Sequence, residues 1–150
     1  MAEVYVTSER RIGAPAARVY EYIRDYRQHH PKFLPPNFSD FRVEQGGVGA
    51  GTIFTCTSTA ARRTRQFRML VSEPEPGRVL VESDQLSSIV THFTVTPEGE
   101  HCRVKIETRW QGARGIGGFF ERLFAPRVLR GVYADELGRL DRYARQQAAS

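Results

Sequence analysis

Four histidines and two cysteines are the residues whose chemistry most readily suggests a metal or catalytic site. The histidines stand at positions 29, 30, 92 and 101, and no two have the i, i+4 spacing that brings two imidazoles to one metal ion. Cys56 and Cys102 lie outside any CxxC motif and are typical of buried, reduced thiols. The sequence therefore predicts no metal and no cofactor, and it identifies no catalytic residue.

Other reactive patterns are missing or misplaced. No G-x-S-x-G nucleophile motif occurs, and the glycines of GGVGAG (46–51) precede a predicted strand, whereas a phosphate-binding loop precedes a helix. We interpret this segment as a turn and, together with the stretch from Tyr26 to Phe38, as a candidate gate for a cavity. His92 is out of phase with Phe93, which predicts an outward side chain. His29 and His30 fall in a loop and are predicted to be solvated.

Hydroxyl and guanidinium groups are the remaining candidates for contact with a ligand. Strand parity places Arg63, Arg65, Ser83 and Thr91 on the predicted inner face of a sheet, as polar anchors. The two arginines could hold a ligand carboxylate by bidentate pairing, and a solvated strand end is the alternative. This inferred lining supplies no titrating group suited to proton transfer, which favours binding over catalysis.

The elements that position these groups are short strands. Seven segments rich in β-branched and aromatic residues are separated by turn sequences such as EPEPG and PEGEH. Short connections require antiparallel neighbours, because a parallel crossover needs a dozen or more residues. Two short helices, around 19–26 and 27–33, follow the first strand. The predicted strands are Val4–Ile12, Phe41–Gln45, Thr52–Ala60, Arg63–Glu73, Val79–Asp84, Ser88–Thr96 and Cys102–Gln111.

One face of this sheet is predicted to be apolar and the other wet. Alternate residues of the later strands are apolar, and the residues between them are charged or hydroxylic. Trp110 and Tyr133 could each give one hydrogen bond in an apolar wall, and ordinary core filling is the alternative. The predicted walls of a ligand cavity are Phe67, Met69, Val71, Phe93, Val95, Ile106, Thr108, Trp110, Tyr133 and Leu137.

The segment from Gly117 to Gln147 is predicted to be a long amphipathic helix. Its apolar residues, Leu129 through Ala144, recur at steps of three and four, and Glu136 is assigned to the wet face. About 30 residues at 1.5 Å each give roughly 45 Å, enough to cross a sheet of six or seven strands. Pro126 predicts a kink or a new start.

Size and charge narrow the class of protein. The chain has 150 residues, of which 40% are hydrophobic, and residues 1–150 are predicted to form one domain. No apolar run suits a signal peptide or a membrane span, which predicts a cytoplasmic protein, monomeric or weakly dimeric. The net charge of +5 comes mostly from arginines spread along the chain, which argues against nucleic acid as the partner. One local cluster stands at Arg62, Arg63, Arg65 and Arg68.

A series of landmarks resembles the START-like, or SRPBCC, superfamily in its branch of polyketide cyclases/dehydrases and lipid-transport proteins. The landmarks are the segment RIGAPAARVYEYIRDYRQHHPKFLP, then GGVGAGT, then VSEPEPGRVLVES, then the closing helix, and they cover nearly the whole chain. The resemblance implies an α+β helix-grip fold, in which a curved antiparallel sheet of six to seven strands wraps around the C-terminal helix. It also implies a cavity between the sheet and that helix.

Three function classes fit these predictions. The first is binding, or transport, of a hydrophobic or amphipathic molecule such as a lipid or a polyketide-like aromatic compound. The second is a cyclase, aromatase or dehydratase, which could work largely by holding a flexible chain in a reactive conformation. The third is a protein- or RNA-interaction domain with a collapsed cavity. The volume of the cavity separates the third class from the first two.

Overall fold

Seven strands form one antiparallel sheet in the order β1-β7-β6-β5-β4-β3-β2. The computed structural model describes residues 3–60, 62–112 and 115–149, and all of their side chains except those of residues 60 and 115–124. The elements are β1 (Glu3–Ile12), α1 (Ala16–Arg24), a 3₁₀ turn (His30–Phe33), β2 (Phe38–Gln45), β3 (Ile53–Ala60), β4 (Arg63–Glu75), β5 (Val79–Asp84), β6 (Val90–Glu98), β7 (His101–Gln111) and α2 (Gly115–Ala149). The predicted α+β helix-grip fold is confirmed.

The sheet presents its apolar residues to α2 because side chains alternate along each strand. In β6 and β7 the register pairs Phe93 with Ile106 and Val95 with Val104, and all four side chains are buried. The first strand, β1, pairs with the last strand, β7, so β7 is not at the edge of the sheet. The inner face of β6 and β7 is therefore the one that the sequence predicted.

The residues of β5 that face inward are not the ones predicted, because Ser83 lies on the outer face. The register with β4 pairs Glu82 with Val71, on the inner face, and Ser83 with Leu70, whose side chain is exposed. Strand parity had predicted that Ser83 points inward. Pairing with β4 decides the face instead, and it places a carboxyl group inside.

The closing helix is one continuous element that includes Pro126, so the predicted new start does not occur. Leu137, Leu140 and Ala144 are buried in the core, where this half of α2 packs on β1. Asp141 accepts a hydrogen bond from the backbone nitrogen of Gly13 at 2.7 Å and ties α2 to the end of β1. Within the described residues, no helix has the combination of length and apolar composition that crossing a membrane requires.

The GGVGAG segment is held against α1 by Glu73. The carboxylate of Glu73 accepts hydrogen bonds from Arg24 Nε at 3.0 Å, from the Tyr20 hydroxyl at 2.8 Å and from the Ala50 backbone nitrogen at 2.8 Å. Gly49 lies at φ +72°, and a Cβ there would meet the Arg24 and Glu73 side chains. This turn is therefore a packed junction, and none of its residues lines the cavity described below.

Replacing Glu73 with alanine should lower the free energy of unfolding by about 2–4 kcal/mol at neutral pH, because Arg24 and Tyr20 lose their partner. The hydrogen bond from Arg24 lowers the pKa of Glu73 below its ordinary value of 4.5. The stabilisation is therefore present above that value and disappears as the pH falls through the lowered pKa. Urea denaturation at several pH values measures it. Glu75→Ala, at an exposed position on the same strand, is the control; equal stability losses in the two variants would contradict the assignment.

Candidate functional site

A cavity of about 680 Å³ lies between the inner face of the sheet and the middle of α2. Its walls come from the 3₁₀ turn and the segment after it, from strands β2 to β7, and from residues 125–136 of α2. The lining residues are His30, Leu34, Phe38, Phe41, Phe54, Cys56, Ser58, Arg63, Arg65, Phe67, Met69, Glu82, Ile89, Thr91, Phe93, Thr108, Trp110, Ala125, Arg127, Val128, Leu129, Tyr133 and Glu136.

Most of the residues predicted to form the cavity meet there. The lining includes Phe67, Met69, Phe93, Thr108, Trp110 and Tyr133, together with the predicted anchors Arg63, Arg65 and Thr91. Val71, Val95, Ile106 and Leu137 do not line it and are fully buried in the core instead. Strand parity indicated that the first three point inward, but α1 and the C-terminal half of α2 fill that end of the sheet. Leu137, on the apolar stripe of α2, belongs to the part of the helix that packs there. Ser83, on the outer face, is also outside the cavity.

A row of polar side chains crosses the inner face of three neighbouring strands. The register pairs Glu82 with Thr91 and Thr91 with Thr108. The hydroxyls of Thr91 and Thr108 are 2.7 Å apart, and that of Thr108 is 2.6 Å from the hydroxyl of Tyr133 on α2. Because either oxygen of each pair can donate, the chain of hydroxyls links the sheet to the helix across the cavity wall.

Glu82 is the acidic end of this row. Only 8% of its surface is exposed, and its Oε2 accepts a hydrogen bond of 2.6 Å from the hydroxyl of Tyr26. Burial raises the pKa of Glu82 to about 7, although the hydrogen bond from Tyr26 opposes that change. Glu82 therefore changes its charge near neutral pH, inside a largely apolar cavity.

Glu136 and His30 form a second buried pair in the lining. His30 Nδ1 is 2.6 Å from the carbonyl oxygen of Ile23, and its Nε2 is 3.8 Å from Glu136 Oε2. That oxygen is buried and has no hydrogen-bond partner in the described part of the chain. Burial and the nearby charge of Glu82 raise the pKa of Glu136 well above its ordinary value. Burial lowers the pKa of His30 to about 4, so the imidazole is neutral at pH 7.

The other end of the cavity is basic. Arg63, Arg65 and Arg127 line it and are exposed, which places them where it meets solvent. Trp110 is buried in the wall, and its indole N–H has no hydrogen-bond partner among the described residues. The cavity thus combines a cationic opening, an apolar body and a set of carboxyl, imidazole and hydroxyl groups in its interior.

Sequence reasoning missed Glu82, Glu136 and His30, and a signal was available for two of them. Glu136 stands three residues after Tyr133 and four before Leu140, so its position belongs to the apolar stripe that its charge seemed to exclude. His30 follows Tyr26 by four residues and stacks on it with ring centroids 4.6 Å apart, although it was predicted to be solvated. Glu82 carried no such signal, because only the register of β5 turns it inward.

The chain is similar over nearly its full length to proteins of one fold. The structure of KanY is 35% identical, covers 97% of this chain and 99% of its own, and superposes with a TM-score of 0.85. Two more distant structures share the fold. They are the Zhui aromatase/cyclase from Streptomyces sp. R1128 (13% identity, 98% of this chain and 96% of that one, TM-score 0.78) and norcoclaurine synthase from Thalictrum flavum (16%, 98% and 97%, TM-score 0.72).

Residues 3–145 match the family described as polyketide cyclase / dehydrase and lipid transport. No curated protein matches the sequence. The matched range contains every strand, α1, the 3₁₀ turn and all the residues of the cavity wall. This chain is therefore a member of the polyketide cyclase/dehydrase and lipid-transport family.

Proposed function

We propose that the protein binds an apolar or amphipathic small molecule, such as a lipid or a ring-containing polyketide-like compound, in the cavity between the sheet and α2. The observation that carries this proposal is the cavity of about 680 Å³, whose wall is built mainly from aromatic and aliphatic side chains. Binding sites for drug-sized molecules have volumes of about 300–1,000 Å³ and few polar groups. A domain with a collapsed cavity, the third function class, does not fit this volume.

The arginines at the opening support an amphipathic ligand with an anionic end. Arg63 and Arg127 come from β4 and α2, on opposite walls, and both side chains reach solvent. A guanidinium group pairs with a carboxylate or phosphate through two parallel hydrogen bonds. An apolar ligand body would then occupy the interior while its charged end stays at the basic opening.

Native mass spectrometry of freshly purified protein tests the binding proposal. We expect a population of chains that carries one small molecule, which is lost when the protein is denatured. If the bound population is small, incubation with oleate or with naphthoic acid should increase it. A protein that shows only its own mass, before and after incubation with both compounds, would contradict the proposal.

A cyclase, aromatase or dehydratase activity is the second candidate function. It is favoured by one observation: the cavity contains Glu82, Glu136 and His30, three buried titratable groups that binding an apolar ligand does not require. Aromatase/cyclase and synthase enzymes have the same fold, as the Zhui protein and norcoclaurine synthase do. Their low identity carries no residue roles to this chain, so the chemistry must be argued from its own side chains.

A further inference from the structure

We propose that Glu82, Glu136 and Tyr133 form a proton-transfer site that converts a ketone bound in the cavity into its enol. This inference deepens the second candidate function and rests on the binding of a small molecule in the same cavity. Glu82 is the base that removes a proton from the carbon next to the carbonyl group. Glu136 and Tyr133 are the hydrogen-bond donors to the carbonyl oxygen.

These groups lie on facing walls of one cavity. Glu82 belongs to the sheet, in the row that continues through Thr91 and Thr108, whereas Tyr133 and Glu136 belong to α2. Residues three apart on a helix are neighbours on its surface, with Cβ atoms about 5–6 Å apart. The hydroxyl of Tyr133 is anchored over the row by its 2.6 Å contact with Thr108. A ligand that packs against this row therefore has the Glu82 carboxyl group at one end of the row and the Tyr133 and Glu136 groups of α2 at the other.

The geometry around His30 indicates that Glu136 is a donor. The 2.6 Å contact with the carbonyl oxygen of Ile23 requires a hydrogen on Nδ1, so the neutral imidazole presents a bare Nε2 towards Glu136. A bare Nε2 at 3.8 Å from Glu136 Oε2 repels an ionised carboxylate more strongly than a neutral carboxyl group. Because both side chains are nearly inaccessible to water, the neutral carboxylic acid beside a neutral imidazole is the favoured state.

Tyr133 also has a hydrogen to give. When Thr91 donates to Thr108 and Thr108 donates to Tyr133, both short contacts are satisfied and the phenol hydrogen remains available to a ligand. Burial raises the pKa of Tyr133 to about 12, so the phenol keeps this hydrogen at neutral pH. A phenol and a neutral carboxylic acid in an apolar site form an effective oxyanion hole.

The opposite wall supplies the base. Tyr26 donates to Glu82 Oε2 and fixes the orientation of the carboxylate. A base is most effective when its pKa is close to the working pH, and burial raises that of Glu82 to about 7. The other titratable groups near it are Tyr26, which donates to it, Asp84, two residues further along the same face of β5, and the lining residues His30, Cys56, Tyr133 and Glu136, whereas the arginines stand at the opening. Among the lining residues His30 is neutral, burial raises the pKa of Cys56 to about 12, and burial together with the charge of Glu82 raises the pKa of Glu136, which leaves Glu82 as the base.

The step balances within the site. The C–H bond next to the carbonyl breaks, its proton bonds to a Glu82 oxygen, and its electron pair forms the C=C bond of the enol. The carbonyl π electrons move to oxygen, which takes the proton of Glu136. The products are the enol, a protonated Glu82 and an ionised Glu136. The reverse step restores the ketone, the ionised Glu82 and the neutral Glu136. In heavy water it returns deuterium to the carbon after the proton on Glu82 has exchanged with solvent.

Deuterium incorporation into β-tetralone, a bicyclic ketone, tests the proposal by NMR in heavy water. The wild-type protein should accelerate exchange next to the carbonyl, with a rate that rises as the pH increases through about 7. Glu82→Gln should slow the catalysed exchange about 10²–10⁴-fold, the usual contribution of a positioned base. Glu136→Gln should also slow it, and Glu75→Gln, at an exposed position, should leave it unchanged. The fluorescence of Trp110 reports binding of the ketone to each variant separately.

The outcomes separate this inference from the binding proposal. Binding by all variants, with exchange slowed in both Glu82→Gln and Glu136→Gln, supports the site, and exchange that Glu136→Gln leaves unchanged overturns the role of Glu136 as a donor. Binding with no accelerated exchange by the wild-type protein overturns the inference and leaves the binding proposal intact. Exchange that Glu82→Gln retains overturns the assignment of the base. Failure of the wild-type protein to bind either β-tetralone or the compounds used for mass spectrometry overturns both proposals.

Discussion

Replacing Ala125 with tryptophan should weaken the binding of small molecules about 100-fold, which corresponds to roughly 2.7 kcal/mol. Ala125 is a small residue on α2, and its side chain lines the cavity. An indole there would occupy space that a ligand needs, because protein interiors do not expand readily around an added ring. The loss should appear as a raised dissociation constant for any ligand found by mass spectrometry, measured by titration at constant protein concentration.

Ala134→Trp is the matched control for this change. Ala134 stands on the same helix, but its side chain is exposed and outside the cavity wall. The control should bind ligands as the wild-type protein does, and both variants should keep cooperative unfolding. Wild-type affinity in Ala125→Trp would show that ligands bind elsewhere, and it would remove the basis for a site between the sheet and α2.

Replacing Glu82 with glutamine should make the protein more stable above pH 7. Burial raises the pKa of Glu82 from its ordinary 4.5 to about 7. Between these two pH values the folded state therefore holds a proton that the unfolded state has released. The folded protein therefore loses stability as the pH rises from 4.5 to 7, by roughly 3 kcal/mol in total. Glutamine does not titrate, and its amide oxygen still accepts the hydrogen bond from Tyr26. The gain in unfolding free energy should be absent below the ordinary pKa of 4.5 and complete above the folded-state pKa of about 7.

Urea denaturation of the ligand-free protein at about pH 4 and about pH 8 measures this difference. The gap in unfolding free energy between Glu82→Gln and the wild-type protein should widen as the pH rises. Glu75→Gln should show no such widening, because Glu75 is exposed. Parallel pH profiles for Glu82→Gln and the wild-type protein would contradict the buried, poorly solvated environment assigned to this carboxyl group. A stability gain would also indicate that Glu82 is retained at a cost, as functional groups often are.

The fold could be predicted because its signals are local and repeated. The alternation of Phe67, Met69 and Val71 identifies an inner face without any knowledge of the neighbouring strands. The stripe from Leu129 to Ala144 identifies the closing helix in the same way. Short connections then leave an antiparallel meander as the arrangement of the later strands, as observed.

The polar part of the site could not be predicted in this way, because it breaks the rules that make the fold predictable. A charged residue is assigned to solvent by default. For this reason Glu136 was assigned to the wet face of the helix. On β5 the inner face was likewise assigned to Ser83 and not to Glu82. Parity also cannot distinguish a filled region from an empty one. Phe93 and Val95 share one face of β6, yet Phe93 lines the cavity and Val95 lies in the closed core.

The single tryptophan of the chain reports whether a small molecule enters the space between the sheet and α2. Trp110 lines the cavity, so an anilinonaphthalene sulfonate bound there should emit light by energy transfer from its indole. We expect a saturable signal with one dye bound per native chain, largely lost in Ala125→Phe and retained in Ala134→Phe, neither of which adds a second indole. A native protein that gives no sensitised emission, or a signal that Ala125→Phe leaves unchanged, would contradict binding in this cavity.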